Sequence, residues 1–403
     1  MASAPILPVS GKSWKRRRRR RRLAITALVV LIVVGVLVKL APHPGRDLSG
    51  TAKAPAGRSV ITSWLTNASP LAWSAGDDRI FINRSGRNGL WNGYSILPDG
   101  RDEECVTCRE PSLPRVGTAT NRAVFDVSPN GRYVLLTVEK GSHPGAIGGL
   151  WTVPGKGMYN DIWLETAGGT RAWQLTDIPT SSPAGIIFPR FDRTGTQIVW
   201  SQMYAGASLS HPLGQWALKL ARLVWRGGVP HLDDIRTYDP HRGLFFEPYE
   251  FSPGDQRILF ASDIDVPSDL LSPSAFNARI WTLDAAHLDD LQRVSPPEPL
   301  HGMFSDYNEF AAYIPDSDRI LLGRTYGAAT HGIDYWTVND NGTDPVRLTF
   351  MNQPGNPQYL GYSQVGGLAF DPQDPRRFVA SVSHRLLRPG DEQAVFVTIG
   401  SGL

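Results

Sequence analysis

The sequence predicts an all-β fold: a six-bladed β-propeller of four-stranded antiparallel blades, preceded by a single transmembrane helix. Three observations carry this expectation. A short polar turn recurs six times along the 403 residues, and a strand-like run follows each copy. Aromatic residues are abundant (12 Trp, 12 Tyr, 15 Phe), as are Gly (40) and Pro (32), which favours many short strands joined by turns. An uncharged apolar stretch stands directly behind a run of arginines near the N-terminus.

In chain order, residues 1–22 are the expected cytoplasmic tail. Lys12, Lys15 and Arg16 through Arg22 place nine positive charges there with no acid. The formal net charge is +3, so the rest of the chain carries −6. That remainder has no basic excess to attract nucleic acid, and no nucleic-acid partner is expected. Residues 23–41 are the expected transmembrane helix. Leu23 to Val38 is free of charge, Lys39 interrupts the stretch and Pro42 ends it. A span takes about 17–25 apolar residues, and Lys39 can reach the interface with its ammonium. The arginines ahead of the span hold the N-terminus in the cytoplasm, so the chain is expected in the cell membrane as a single-pass protein with its propeller outside the cytoplasm. A cleaved signal peptide is the competing reading; Lys39 and Pro42 make a poor cleavage site around Ala41. Residues 42–58, rich in Pro, Gly and Ala, read as a flexible linker.

Residues 59–403 are the expected propeller. Its turn reads WSAGD from Trp73, VSPNG from Val127, FDRTG from Phe191, FSPGD from Phe251, YIPDS from Tyr313 and FDPQD from Phe370. The copies lie 54 to 64 residues apart. Second strands follow as RIFIN from Arg79, YVLLTV from Tyr133, QIVWSQ from Gln197, RILFAS from Arg257, RILLGR from Arg319 and RFVASV from Arg377. After a variable insert come third strands such as DIWLETAGG from Asp161, RIWTLDAA from Arg279 and DYWTVNDNG from Asp334. Short fourth strands close the units: ECVT from Glu104, WQLT from Trp173, QRVS from Gln292 and VRLT from Val346. Such a unit cannot bury both faces alone, whereas six arranged radially can. The sixth unit ends at QAVFVTIG without a fourth strand, and SVITSWLT from Ser59 has no unit of its own. It is expected to supply the missing strand and lock the ring, removing two open sheet edges.

The turn, the DIW-type strand and the RLT strand together resemble the WD40-like repeat of TolB-type β-propellers. Val127-Ser128-Pro129-Asn130-Gly131, Phe251-Ser252-Pro253 and Val346-Arg347-Leu348-Thr349 carry the likeness, which covers about residues 59–400. It implies the architecture; the same blades serve in binding scaffolds and beside peptidase domains. TolB proteins carry a further α/β domain ahead of the propeller, where this chain has its tail, anchor and linker.

The sequence assigns no catalytic residue, metal or cofactor. No G-x-S-x-G elbow is present; Gly361-Tyr362-Ser363-Gln364-Val365 lacks the last glycine. Cys105 and Cys108, the only two cysteines, read as a local structural disulfide, with free thiols or a redox or metal role as alternatives. Trp163, Trp200, Trp281 and Trp336 read as packing within strands. Asp263, Asp265 and Asp269 are a conceivable calcium loop, more simply read as a solvated acidic insert.

In a propeller the loops joining strands 2 and 3, and those joining strand 4 to the next strand 1, leave on one face. Here the 2–3 loops are long and hold His143, Tyr204, His211, Tyr326, His331 and His384. The 4–1 loops hold His241, Tyr249, His301, Tyr307, Tyr359 and Tyr362. Long loops on a rigid scaffold are where binding resides. The candidate ligand-binding residues on this face are His241, Tyr249, His301, Tyr307, His331, Tyr359 and His384. The expected function is a membrane-anchored, non-catalytic scaffold for a protein, peptide or glycan. The alternative is a propeller enzyme of lyase, lactonase or glycosidase type with a site in the central channel, for which Glu250, Asp306 and Glu309 near the predicted first strands could serve, though nothing in their spacing requires it. A sensor is a third reading, for which the short tail leaves little room.

Overall fold

The computed structural model describes residues 59–108, 113, 120–267, 274–296, 306–325, 332–384 and 392–400. The expected tail, transmembrane helix and linker lie outside the described residues. Among those described, no helix is long and apolar enough to cross a membrane.

A leading strand, β1 (Ser59–Thr66), precedes the first blade: β2 (Ser69–Trp73), β3 (Ile80–Ser85), β4 (Trp91–Ile96) and β5 (Glu104–Cys105). The second blade is β6 (Arg122–Val127), β7 (Tyr133–Glu139), β8 (Asn160–Thr166) and β9 (Ala172–Gln174). The third is β10 (Gly185–Phe191), β11 (Gln197–Ala205), β12 (Gln215–Arg226) and β13 (Val229–Tyr238). The fourth is β14 (Phe246–Phe251), β15 (Arg257–Ser262), β16 (Arg279–Asp284) and β17 (Gln292–Arg293). The fifth is β18 (Asn308–Tyr313), β19 (Arg319–Thr325), β20 (Ile333–Asn339) and β21 (Val346–Arg347). The sixth takes β22 (Gln364–Asp371), β23 (Asp374–Ser383) and β24 (Glu392–Ile399) from the C-terminal end and β1 as its outermost strand. Ser59 pairs with Ile399 and Thr66 with Gln393, so the two ends of the ring close on each other. The fold is thus an all-β, six-bladed propeller of four-stranded antiparallel sheets.

The repeated motifs have local causes. In the turns, the Ser128 and Ser252 hydroxyls accept the amides of Tyr133 and Arg257, at 2.9 and 3.0 Å. Asp192 does the same for Gln197 at 3.0 Å. The arginine opening the second strand reaches the 3–4 turn of its own blade: Arg79 to Asp102 at 2.6 Å, Arg257 to Asp290 at 2.7 Å and Arg319 to Asp344 at 2.9 Å. The DIW and QLT segments belong together because Thr176 Oγ1 donates to Asp161 (3.0 Å) and accepts from Ile162 N (2.9 Å). Thr349 repeats this with Asp334 (3.0 Å) and Tyr335 N (2.9 Å).

Six hydrophobic clusters hold the blades to one another. Leu135, Ile162 and Leu164 of the second blade meet Ile186, Ile198 and Trp200 of the third. At the closure, Trp73, Ile80 and Ile82 of the first blade meet Val379, Ala394 and Phe396 of the sixth. Trp163, Trp200 and Trp281 are buried, and Trp336 is half-buried beneath the Arg324 guanidinium, 5.7 Å from its ring centre. Cys105 and Cys108 form a disulfide across the tight turn that ends β5.

The third blade departs from the pattern. Its outer hairpin β12–β13 is the longest in the molecule among the described residues, joined by Gly227-Gly228 with φ of 58° and 78°. That conformation fits a two-residue hairpin turn and demands glycine.

Candidate functional site

The first strand of every blade lines the axis, and each breaks register with its neighbour. The breaks fall between Pro70 and Ala72, Val124 and Asp126, Ile187 and Arg190, Pro248 and Glu250, Glu309 and Ala312, and Val365 and Leu368. Bulges re-aim side chains, and here they turn large ones inward. Phe188, Tyr249 and Phe310 meet with ring centres 6.2, 6.1 and 6.0 Å apart, a near-equilateral triangle. Three rings this close leave no passage between them. Phe188 and Phe310 adopt φ of 50° and 49°. Bulky residues avoid this region at a cost of roughly 1–3 kcal/mol each, which the surrounding packing offsets.

The plug divides the channel. Toward the long-loop face lies an acidic well. Glu247 of β14 and Glu309 of β18 each accept a tyrosine hydroxyl: Tyr249 to Glu247 at 3.1 Å and Tyr307 to Glu309 at 2.9 Å. Lys156 arrives on the connection between β7 and β8. Its turn is closed by the amides of Lys156 and Gly157, both donating to Val153 O at 3.0 Å. A Cβ on Gly157 would lie 2.1 Å from Ile186 O, so glycine there lets the turn press against the third blade. The same connection is pinned by His143, which stacks on Tyr159 (4.7 Å) and bonds to Glu139 (3.0 Å).

Burial dominates the electrostatics. It pushes the Glu247 carboxyl up to about 7, opposed by the Tyr249 hydrogen bond and the Lys156 charge. Burial raises Glu309 well above the usual carboxylate range, and the Glu247 charge adds to this. Burial lowers Lys156, while both glutamates resist the change. Tyr362 is pushed up to about 12 by burial and then by the Glu309 charge. Burial thus favours the protonated carboxyls and the neutral amine over their charged forms, with several phenols beside them. Such a set can seat a polar or cationic group, or exchange a proton with one.

On the short-turn side of the plug lies a cavity of about 410 Å³ lined by the ends of the first strands and their turns. Asp126 accepts the Phe191 amide of the next blade at 2.8 Å. Glu250 accepts the Tyr313 amide and pairs with Arg193 at 3.2 Å. These two carboxylates tie neighbouring blades together.

Of the residues singled out from sequence, Tyr249, Tyr307 and Glu309 meet in the well. Tyr249 is corrected from loop to strand: it lies in β14 and is buried, because the bulge extends the inner strand past it. His241 is exposed, 3.4 Å from Ile264 O. Tyr359 is exposed on the β21–β22 connection. His384 is half-buried, 3.4 Å from Ser363 Oγ and 3.5 Å from Gln393 Oε1. His301 and His331 lie outside the described residues, as do Tyr326 and Asp269. Asp306 does not face the channel chemistry; it is buried against Arg279 (3.1 Å) and Arg293 (3.4 Å). Asp265 pairs with Arg279 at 2.7 Å, and Asp263 accepts the Phe245 amide at 2.8 Å. Among the described residues, one His/Asp group has ligating atoms close together, Asp284, His287 and Asp289 on the exposed β16–β17 turn. Glu247 and Lys156 were missed from sequence. The Gly-Lys-Gly triplet was the available sign of Lys156, and nothing local marked Glu247.

No protein-family model matches the chain, and no curated protein matches it. Solved structures do. TolB from Acinetobacter baumannii is 11% identical, with a TM-score of 0.43 over 88% of this chain and 67% of that one. The putative TolB from Agrobacterium tumefaciens is 13% identical, with a TM-score of 0.43 over 86% and 99%. An alpha-L-arabinanase from Penicillium chrysogenum is 11% identical, with a TM-score of 0.50 over 84% and 98%. At these identities the likeness is one of fold alone.

Proposed function

We propose that this chain is a membrane-tethered binding module that receives a protein or peptide partner on its long-loop face, outside the cytoplasm, with the acidic well at the centre of the contact. One observation carries the reading. Of ten large hydrophobic side chains exposed among the described residues, six (Leu150, Trp151, Tyr204, Leu209, Tyr359 and Leu360) lie at this face, on or beside its loops. Exposed apolar side chains gathered around a polar centre suit a partner interface. The tether rests on residues 23–41 and the arginines before them. The test is capture of a partner from membranes by the full chain. The variant Trp151→Ser/Leu209→Ser/Tyr359→Ser is expected to lose it; undiminished capture by a folded triple variant would count against the reading.

A second reading is favoured by Glu247 and Glu309, two buried carboxyls of which the first raises the second. One carboxyl that keeps its proton near neutrality beside another is the equipment of glycoside hydrolysis. Turnover of aryl glycosides that disappears in Glu309→Gln would favour the enzyme over the scaffold.

A further inference from the structure

The cavity on the short-turn face, which the proposed partner contact does not use, contains a buried cation with no acid in contact with it. Arg190, at the end of β10, lines it and is 7% exposed. Both hydrogen bonds it makes come from Nη1, to Leu71 O at 3.1 Å and to Phe125 O. Its Nε has no partner, and Arg190 forms no ion pair among the described residues. Carbonyl dipoles fix the guanidinium in place but do not neutralise it, and an unpaired buried charge is costly. Asp126 and Glu250 attract it from beyond contact distance but spend their hydrogen bonds elsewhere: Asp126 on the amides of Phe191 and Val127, Glu250 on Arg193 and Tyr313 N.

We propose that this cavity is a binding site for a carboxylate carried on an apolar body, with Arg190 as its anchor. The N–H groups that make no hydrogen bond, on Nε and Nη2, are the pair a guanidinium offers to a carboxylate. The walls contributed by Leu71, Phe310, Leu368 and Phe370 suit an apolar remainder, and about 410 Å³ lies within the range of small-molecule sites. Asp126, Asp192, Glu250, Asp316 and Asp371 also line the cavity, with Arg193 paired to Glu250. They disfavour a multiply charged anion such as phosphate and leave a singly charged acid as the better fit.

The test is calorimetric titration of the full chain with 4-phenylbutyrate and with its neutral amide. The acid is expected to bind about 10–100-fold more tightly, the worth of a charge-assisted hydrogen bond. Equal affinities, or binding of neither, would overturn the proposal. Arg190→Met is expected to erase the preference and Arg190→Lys to keep part of it; a preference that persists in folded Arg190→Met also overturns it. Arg190 of the third blade ties to the first and second, so the methionine variant can fail to fold. Phenylglyoxal labelling of the wild-type chain then decides: protection of Arg190 by the acid and not by the amide is expected, and equal labelling contradicts it.

Discussion

Replacing Glu247 by Gln should change how stability depends on pH more than it changes stability itself. Burial holds this carboxyl at about 7 in the folded chain against an ordinary 4.5. The folded state therefore binds the proton more tightly than the unfolded one between these values. Stability from this group is present below about pH 4.5 and is lost as pH rises through 7. At about 1.4 kcal/mol per pH unit of displacement, the loss is about 3 kcal/mol. Glutamine cannot ionise but still accepts the Tyr249 hydroxyl, so the variant keeps the hydrogen bond and loses the pH term. The assay is urea unfolding followed by tryptophan fluorescence at pH 5 and pH 8. Asp126 contributes equally to both proteins, and Glu309, freed of the Glu247 charge in the variant, is raised less there, which widens the difference in the same direction. The wild type should lose more stability than Glu247→Gln between the two pH values, by about 3 kcal/mol. Parallel losses would refute the description of the well as a desolvated proton-holding site.

Two further outcomes follow from the ring. Phe396→Ala should cost about 3–5 kcal/mol, because the ring packs on Trp64 at 4.9 Å and under the Arg377 guanidinium at 4.1 Å, at the closure of first and last strands; a lowered urea midpoint with an unchanged slope checks it. Cys105→Ser/Cys108→Ser should cost about 2 kcal/mol or less, since the bond spans a sequence separation of only three residues; thermal melts with and without reductant should converge for the variant.

The blades were legible because their signals are local. The Ser or Asp of the turn, the arginine opening the second strand and the paired DIW and QLT segments all act within one blade, through bonds between residues close in sequence. The ring closure was legible from what the sixth unit lacked. The third blade's outer hairpin was not, since it carries neither paired motif. Its sign was Gly227-Gly228 between two alternating runs. The channel was hardest to read. Bulges in the inner strands break the alternation that tells inward from outward residues, so Tyr249 was placed in a loop and Glu247 was overlooked. Asp306, a candidate only for the alternative enzyme reading, is instead held by Arg279 and Arg293. Lys156 owes its position to a long insert and to contact with another blade, which no local pattern encodes.

In the proposed contact the partner rests on the long-loop face. Photo-crosslinking side chains placed singly at Trp151 and Tyr359 on that face, and at Trp225 on the opposite one, test it directly in membranes carrying the full chain. A crosslinked partner is expected from Trp151 and Tyr359 and none from Trp225. Crosslinks from Trp225 alone would contradict it.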